Sequence, residues 1–259
     1  MDPKLELFTF SISHFSEKTR WTLDALGLPY RETRLTPFLH IPHNLRLTHG
    51  RGTSVPILRT GDEVIQDSVR ITAWLERTHR AQLNACGLIP ANKVLREEVL
   101  EIEKRSGRVG AHVTRFVYAQ RMHRRDDLLR LWGLDANLLQ RAALRAMFPL
   151  ERTLLARLSR VTPANVERSR TVIGEALDVI EARIVGNRRY LIGNRLTVAD
   201  ISACALLAPI AAPEQHPAYG SQVYRDFVGP VATEWAQRPA LEWVRDIYRR
   251  HRVAKAKSR

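Results

Sequence analysis

The chain has 259 residues, 44% of them hydrophobic and 26% charged, with a formal net charge of +14. That composition supports a packed core, in one large domain or two modest ones, and excludes a low-complexity or broadly disordered chain. Two cysteines make no disulfide framework, no secretory block opens the chain, and the longest apolar run, near residues 201–213, is too short to span a bilayer, so the expectation is a reduced, cytoplasmic protein.

Residues 4–10 are apolar-rich and of strand length. Phe15, Thr19, Leu23 and Leu26 then recur at helical spacing up to Gly27, which predicts a helix over residues 14–26. Alternation over residues 30–35 predicts a second strand. Residues 36–52 are irregular, with Pro37, Pro42, Gly50 and Gly52 and room for a short helix near 44–48. Strands at 55–59 and 63–66 flank a tight turn at Thr60-Gly61-Asp62, and a helix follows over 67–78 with Val69, Ala73, Trp74 and Arg77 near one stripe. The order is β-α-β-(α)-β-β-α.

Strand signals then fade. Residues 80–92 read as a linker. Residues 93–125 form one long helical pattern containing Gly107 and Gly110, and 126–162 read as further helices with breaks at Gly133 and near Pro149. Residues 165–186 are helical, with Val172, Leu177, Ile180 and Ile184 facing inward. In Leu196-Thr-Val-Ala-Asp200, Thr197 caps a helix whose third position is Asp200, a weaker form of the capping box, and Leu196 and Ile201 flank it as a hydrophobic staple. A last helix is predicted over 239–249. Charge is uneven: residues 1–80 carry +2 and the remainder +12. The arginines are spread along helices beside glutamates, which favours a solvated surface over nucleic-acid binding; the basic run over 249–259 reads as a frayed terminus. No histidine pair has metal-ligand spacing with cysteine or acid, so no metal site is expected.

The stretch Phe10-Ser-Ile-Ser-His-Phe-Ser-Glu-Lys-Thr-Arg-Trp21 carries the chemistry. A strand ends and a helix begins among three serines. A helix start offers free N–H groups and partial positive charge, so it can hold a thiolate, a phosphate or a carboxylate; taken alone, the stretch is equally an ordinary serine cap. Two further landmarks follow, Ser54-Val55-Pro56-Ile57-Leu58 and Gln66-Asp67-Ser68. Together with the Leu196–Asp200 segment they resemble the glutathione transferase superfamily, and the resemblance covers most of the chain.

That resemblance implies an α/β plus all-α architecture. A thioredoxin-like glutathione-binding domain would span residues 1–80, a linker 81–92 and an all-helical substrate-binding domain 93–259. It implies glutathione as co-substrate, a hydrophobic electrophile, a homodimer and no metal. Gln66, Asp67 and Ser68 would take the γ-glutamyl end, Val55 before a cis Pro56 the peptide backbone, and His40 or Arg51 the glycine carboxylate, with His49 in the same loop. Ser13 would donate to the thiolate, with Ser11 second and Ser16 third. The second-substrate pocket would draw on His14, Arg108, His112, Arg115 and Phe116, with Ala119 nearby. The chain departs from the family pattern at His14, where proline is usual, in the loop Thr48-His-Gly-Arg-Gly-Thr53, and in having neither cysteine nor tyrosine in the first stretch. Two other readings use the same residues: glutathione-dependent isomerisation or dehalogenation, and a non-catalytic binding or interaction protein.

Overall fold

Three loops meet at one edge of a small sheet, and the strand register dictates it. The computed structural model describes residues 4–61 and 63–252. Strands β1 (Leu5–Thr9), β2 (Tyr30–Arg34), β3 (Ile57–Arg59) and β4 (Val64–Gln66) lie in the order β2-β1-β3-β4. β1 and β2 are parallel, whereas β3 runs antiparallel to both β1 and β4. Ile57 pairs with Phe8 on one side and Gln66 on the other. The end of β1, the start of β3 and the end of β4 therefore share an edge. This is the thioredoxin-like arrangement, followed by a helical half.

Helix α1 (His14–Ala25) stops at Gly27, which adopts a φ of 67° that favours glycine. α2 (Ile41–Leu47) precedes β3, and Thr60 N–H bonds to the Glu63 carbonyl (3.0 Å) across the turn; Asp62 of the expected turn lies outside the described residues. α3 (Ser68–Thr78) buries Ile71, Trp74 and Leu75, so its inward stripe runs through Ile71 and Leu75 and not through Val69, Ala73 and Arg77. The segment expected as linker contains a short helix, α4 (Arg80–Ala85).

The helical half comprises α5 (Lys93–Arg121), α6 (Arg125–Trp132), α7 (Leu138–Leu158), α8 (Pro163–Arg183), α9 (Val198–Ala211), α10 (Gln222–Ala232) and α11 (Pro239–His251). The expected break at Gly133 is present; the one expected near Pro149 is not. Proline at that position removes the N–H that would serve the Arg145 carbonyl. Arg125 Nη2 donates to that carbonyl instead (3.3 Å), and α7 runs on. The tail of the expected basic run, residues 253–259, lies outside the described residues.

α9 is buried along its whole length and apolar all round, which marks a core helix. It packs against α5, α1 and α11. Gly107 and Gly110 of α5 are explained by close approach. A Cβ at Gly110 would lie 2.8 Å from Leu206 of α9 and 3.0 Å from Phe15 of α1. The Asp200 carboxylate accepts from Leu191 N, Thr197 N and Thr197 Oγ1, each at 2.8 Å, with no solvent exposure. It thereby fixes both the helix start and the loop before it. Asp200→Ala orphans these donors, and a loss of about 3 kcal/mol is expected, with a melting temperature lower by roughly 10 °C in a circular dichroism melt. Thr197→Ala, which leaves the backbone bonds intact, is expected to cost about 1 kcal/mol.

Candidate functional site

The N-termini of α1 and α3 and the corner before β3 converge at the shared sheet edge. Ser13 is the N-cap of α1, its Oγ accepting from Ser16 N (3.1 Å). A hydroxyl that accepts through a lone pair keeps its proton for another acceptor. Ser11 is differently placed. Its N–H and Oγ donate to the two carboxylate oxygens of Asp135, at 3.3 and 2.9 Å, so its proton is engaged. Ser16 is fully buried.

The Val55–Pro56 peptide bond is cis. Asp67 caps α3 with Oδ1, which accepts from Val69 N (2.7 Å) and Arg70 N (3.4 Å), and it holds an unusual φ of 87°. Gln66 donates through Nε2 to the Ser54 carbonyl (2.8 Å) and hydroxyl (3.1 Å) and so ties β4 to the loop before β3. A Cβ on Gly52 would fall 2.5 Å from Gln66 Oε1, so glycine is needed for that contact. The Ser68 hydroxyl, buried at the first turn of α3, has no partner among the described residues. An orphaned donor beside a helix N-terminus fits a ligand carboxylate.

The cationic candidates behave differently from one another. Arg51 is exposed, and its Nε donates to the Thr48 carbonyl (2.9 Å), which leaves the rest of the guanidinium free to turn outward. The His40 ring packs edge-on against Phe10 (4.6 Å), and burial pulls its pKa down to about 4. At neutral pH His40 is an uncharged hydrogen-bonding group, and Arg51 is the cation.

His14 does not open to solvent. Its Nε2 lies 3.2 Å from the Gly110 carbonyl and 3.4 Å from Thr114 Oγ1, so this nitrogen carries the proton. Burial lowers its pKa to about 4. Beside it lies a small cavity of about 40 Å³, walled by Ile12, Thr114, Tyr118, Tyr219, Tyr224 and Phe227 among others. Tyr219 Oη donates to the Ile12 carbonyl (2.5 Å), one residue before Ser13.

The other α5 candidates are elsewhere. Arg108 and His112 line an open groove of about 700 Å³ between α5 and α8. Arg115 donates to the Ser159 carbonyl (2.6 Å) and Ser169 Oγ (3.0 Å), and Phe116 is buried against Trp235 (4.7 Å). Helical spacing separates the two sets. Positions 108, 112 and 115 share one face of α5; positions 110, 114, 117 and 118 share the face towards α1. Gly110 was the signal that could have picked the second face, because a glycine in mid-helix marks a close neighbour. Asp135, Tyr219 and Tyr224 are far from Ser13 in sequence and carried no such signal.

Residues 7–82 match the sequence family described as glutathione S-transferase, N-terminal domain, and residues 145–223 match glutathione S-transferase, C-terminal domain. The chain belongs to the glutathione S-transferase superfamily. Among solved structures, it resembles a glutathione S-transferase from Methylobacterium radiotolerans in complex with glutathione sulfonate (16% identity, 98% of each chain covered, TM-score 0.61). It also resembles human glutathione transferase theta-2 in complex with glutathione (19% identity, 96% of this chain and 83% of that one, TM-score 0.58). A beta-etherase from Sphingobium sp. is comparably similar (17% identity, 94% and 99%, TM-score 0.59). No curated protein matches this chain. Among the described residues no group of three or more histidine, cysteine, aspartate or glutamate side chains is placed to hold a metal ion.

Two buried histidines, His14 and His216, and the half-buried His40 have pKa values lowered by burial, to about 4, 3 and 4. Below the ordinary value of 6.5 the unfolded chain binds protons that the folded chain refuses, so stability rises with pH across that window and falls as pH drops from 6.5 towards 4. The urea midpoint is expected to be lower at pH 5 than at pH 7. His14→Gln, which keeps a donor towards Gly110, is expected to reduce that difference. An unchanged difference would place the acid sensitivity elsewhere.

Proposed function

We propose that this chain binds glutathione at the shared sheet edge and uses its thiolate to attack an electrophilic carbon of a small hydrophobic compound. The observation that carries this reading is the geometry of Ser13: a capping hydroxyl with an uncommitted proton, at the N-terminus of a buried helix, beside a cis Val55–Pro56 corner. In this reading Ser68, the α3 N-terminus and Asp67 receive the γ-glutamyl carboxylate and ammonium, with Gln66 holding the adjoining corner. Val55 pairs with the peptide backbone as an added strand would. Arg51 takes the glycine carboxylate, and His40 contributes at most a neutral hydrogen bond.

Activation needs modest energy. A free thiol titrates near ~8.5, and lowering that by about two units requires roughly 2.7 kcal/mol in favour of the thiolate. A hydroxyl donor to an anion contributes about 1.5–3 kcal/mol and a helix N-terminus about 0.3–1 kcal/mol. The thiol proton leaves to water. The thiolate then forms a carbon–sulfur bond as the leaving group departs with its electron pair, or as the electrons move onto an acceptor atom in an addition. The electrophile enters beside His14, where the small cavity widens to admit it and Thr114, Tyr118 and Tyr219 supply polar contacts. A homodimer is part of this proposal, as the family resemblance implies.

One observation favours a second reading. The Asp135 carboxylate sits on Ser11, two residues from the proposed thiolate donor, and like charges placed close together disfavour each other. A protein that binds glutathione without ionising it would tolerate that arrangement. Ultraviolet absorbance of the bound thiolate against pH separates the two readings. For catalysis, the thiol titrates well below its free value in the wild type and in Ser11→Ala, and near the free value in Ser13→Ala, with kcat/KM towards an aromatic halide down about a hundredfold. Glutathione binding with an unshifted thiol in the wild type supports the second reading.

A further inference from the structure

Helix α7 presents a face that the rest of the molecule leaves bare. Its inner side packs through Leu144 and Phe148 and holds Glu151, its one acidic residue, buried. On the outer side Leu139, Ala143, Met147, Leu150, Leu154 and Leu158 recur every three or four positions, which makes one apolar stripe along a 21-residue helix, about 31 Å long. Leu139 is 80% exposed, Leu150 64% and Leu158 72%. Five of the twelve large exposed apolar side chains among the described residues lie on this helix.

The exposed charge of the helix has one sign, with Arg157 next to the stripe and Arg141, Arg145 and Arg152 on the opposite flank. Arg141, Arg145, Arg152 and Arg157 are exposed, and none pairs with a carboxylate among the described residues. Many arginines of other helices are matched, Arg105 to Glu101 and Arg249 and Arg250 to Asp246 among them, whereas α7 has no exposed carboxylate to offer its own. A groove of about 830 Å³ runs alongside, between α7 and the end of α5. His123, Arg152, Arg157 and Arg160 line it, together with apolar side chains and no carboxylate.

We infer that α7 lies on an anionic phospholipid surface, with the leucine stripe in the interfacial region and the arginine-lined groove receiving phosphate headgroups. Charge decides between occupants. A second copy of this helix has no exposed carboxylate to meet the unpaired arginines, whereas an anionic bilayer neutralises them. A basic helix with an exposed apolar face and no exposed acid has the composition of an interfacial helix. Among the described residues no helix is long and apolar enough to cross a membrane, so the contact lies along the surface. This inference does not rest on the glutathione reading.

The test is flotation of the full chain with vesicles of phosphatidylcholine alone and of phosphatidylcholine with added phosphatidylglycerol, at low and at raised salt. Wild type is expected to float with the anionic vesicles at least tenfold better than with the neutral ones, and salt should weaken that binding. Leu150→Asp/Leu158→Asp is expected to reduce binding by more than tenfold, and Arg152→Gln/Arg157→Gln by about twenty-five-fold, since each arginine at a charged surface contributes about fivefold. All four side chains are exposed, so both variants should keep the wild-type circular dichroism spectrum and melting temperature. Failure of wild type to float with anionic vesicles overturns the inference. So does self-association that Leu150→Asp/Leu158→Asp disperses, or retention on polyglutamate without vesicle binding, which would assign the face to a second copy or to an acidic protein.

Discussion

The site depends on α1 being buried on nearly every side while carrying charge. His14, Glu17, Lys18 and Arg20 are all nine-tenths or more buried. Lys18 pairs with Glu103 of α5, with both side chains shielded from solvent. Glu17 meets Arg20 (2.9 Å) and Arg252 (2.7 Å), and Arg252 also reaches Asp24 (2.7 Å) from beyond α11. Burial opposes the charge on Glu17, and the surrounding cations outweigh it, so its carboxyl titrates well below the usual range. Such pairs add little over an apolar core but are costly to break singly, by about 3–5 kcal/mol. They therefore hold α1 in one position between sheet and helices more than they add to overall stability.

That position sets the chemistry. With α1 fixed, its N-terminus and Ser13 stand at the sheet edge where Val55–Pro56 and Ser68 converge. The same packing brings His14 against Gly110 and narrows the adjoining cavity to about 40 Å³. The turn at 216–219 forms one wall: His216 Nδ1 accepts from Ala218 N (3.1 Å) and Tyr219 N (3.0 Å), its ring stacks on Tyr219 (4.0 Å), and Tyr219 holds the Ile12 carbonyl. A substrate larger than a few atoms requires movement of α6, α10 or the turn. The α6–α7 connection and the first turn of α7 also reach over the site, through Asp135 on Ser11 and Gln140, whose Oε1 accepts from Thr36 Oγ1 (3.2 Å).

Most of the fold was legible because its signals are local. Strand alternation, the helical spacing from Phe15 to Leu26, the stop at Gly27 and the Thr197–Asp200 cap each depend on residues a few positions apart. α4 and α10 were not legible: one is a single short turn, and the other follows a proline-rich stretch that masks its period. Pro149 misled because a distant arginine supplies the missing partner for a carbonyl. At the site, Ser13, Val55, Pro56 and Gln66–Ser68 came from contiguous motifs, and the register brings them together. The wall of the cavity beside His14 comes from residues as far apart as Ile12 and Phe227. Arg108 and His112 face the groove between α5 and α8, away from His14; polarity alone does not tell which face of a helix meets a neighbour.

The central claim is that a glutathione sulfur rests at the N-terminus of α1, and a crystal structure of the glutathione complex tests it most directly. The account predicts the sulfur within about 3.5 Å of Ser13 Oγ, the γ-glutamyl carboxylate at Ser68 and the first turn of α3, and the Asp135–Ser11 contact still in place. A complex with the sulfur against Ser11 and Asp135 displaced would contradict the assignment of Ser13. Glutathione bound away from this edge would contradict the account as a whole.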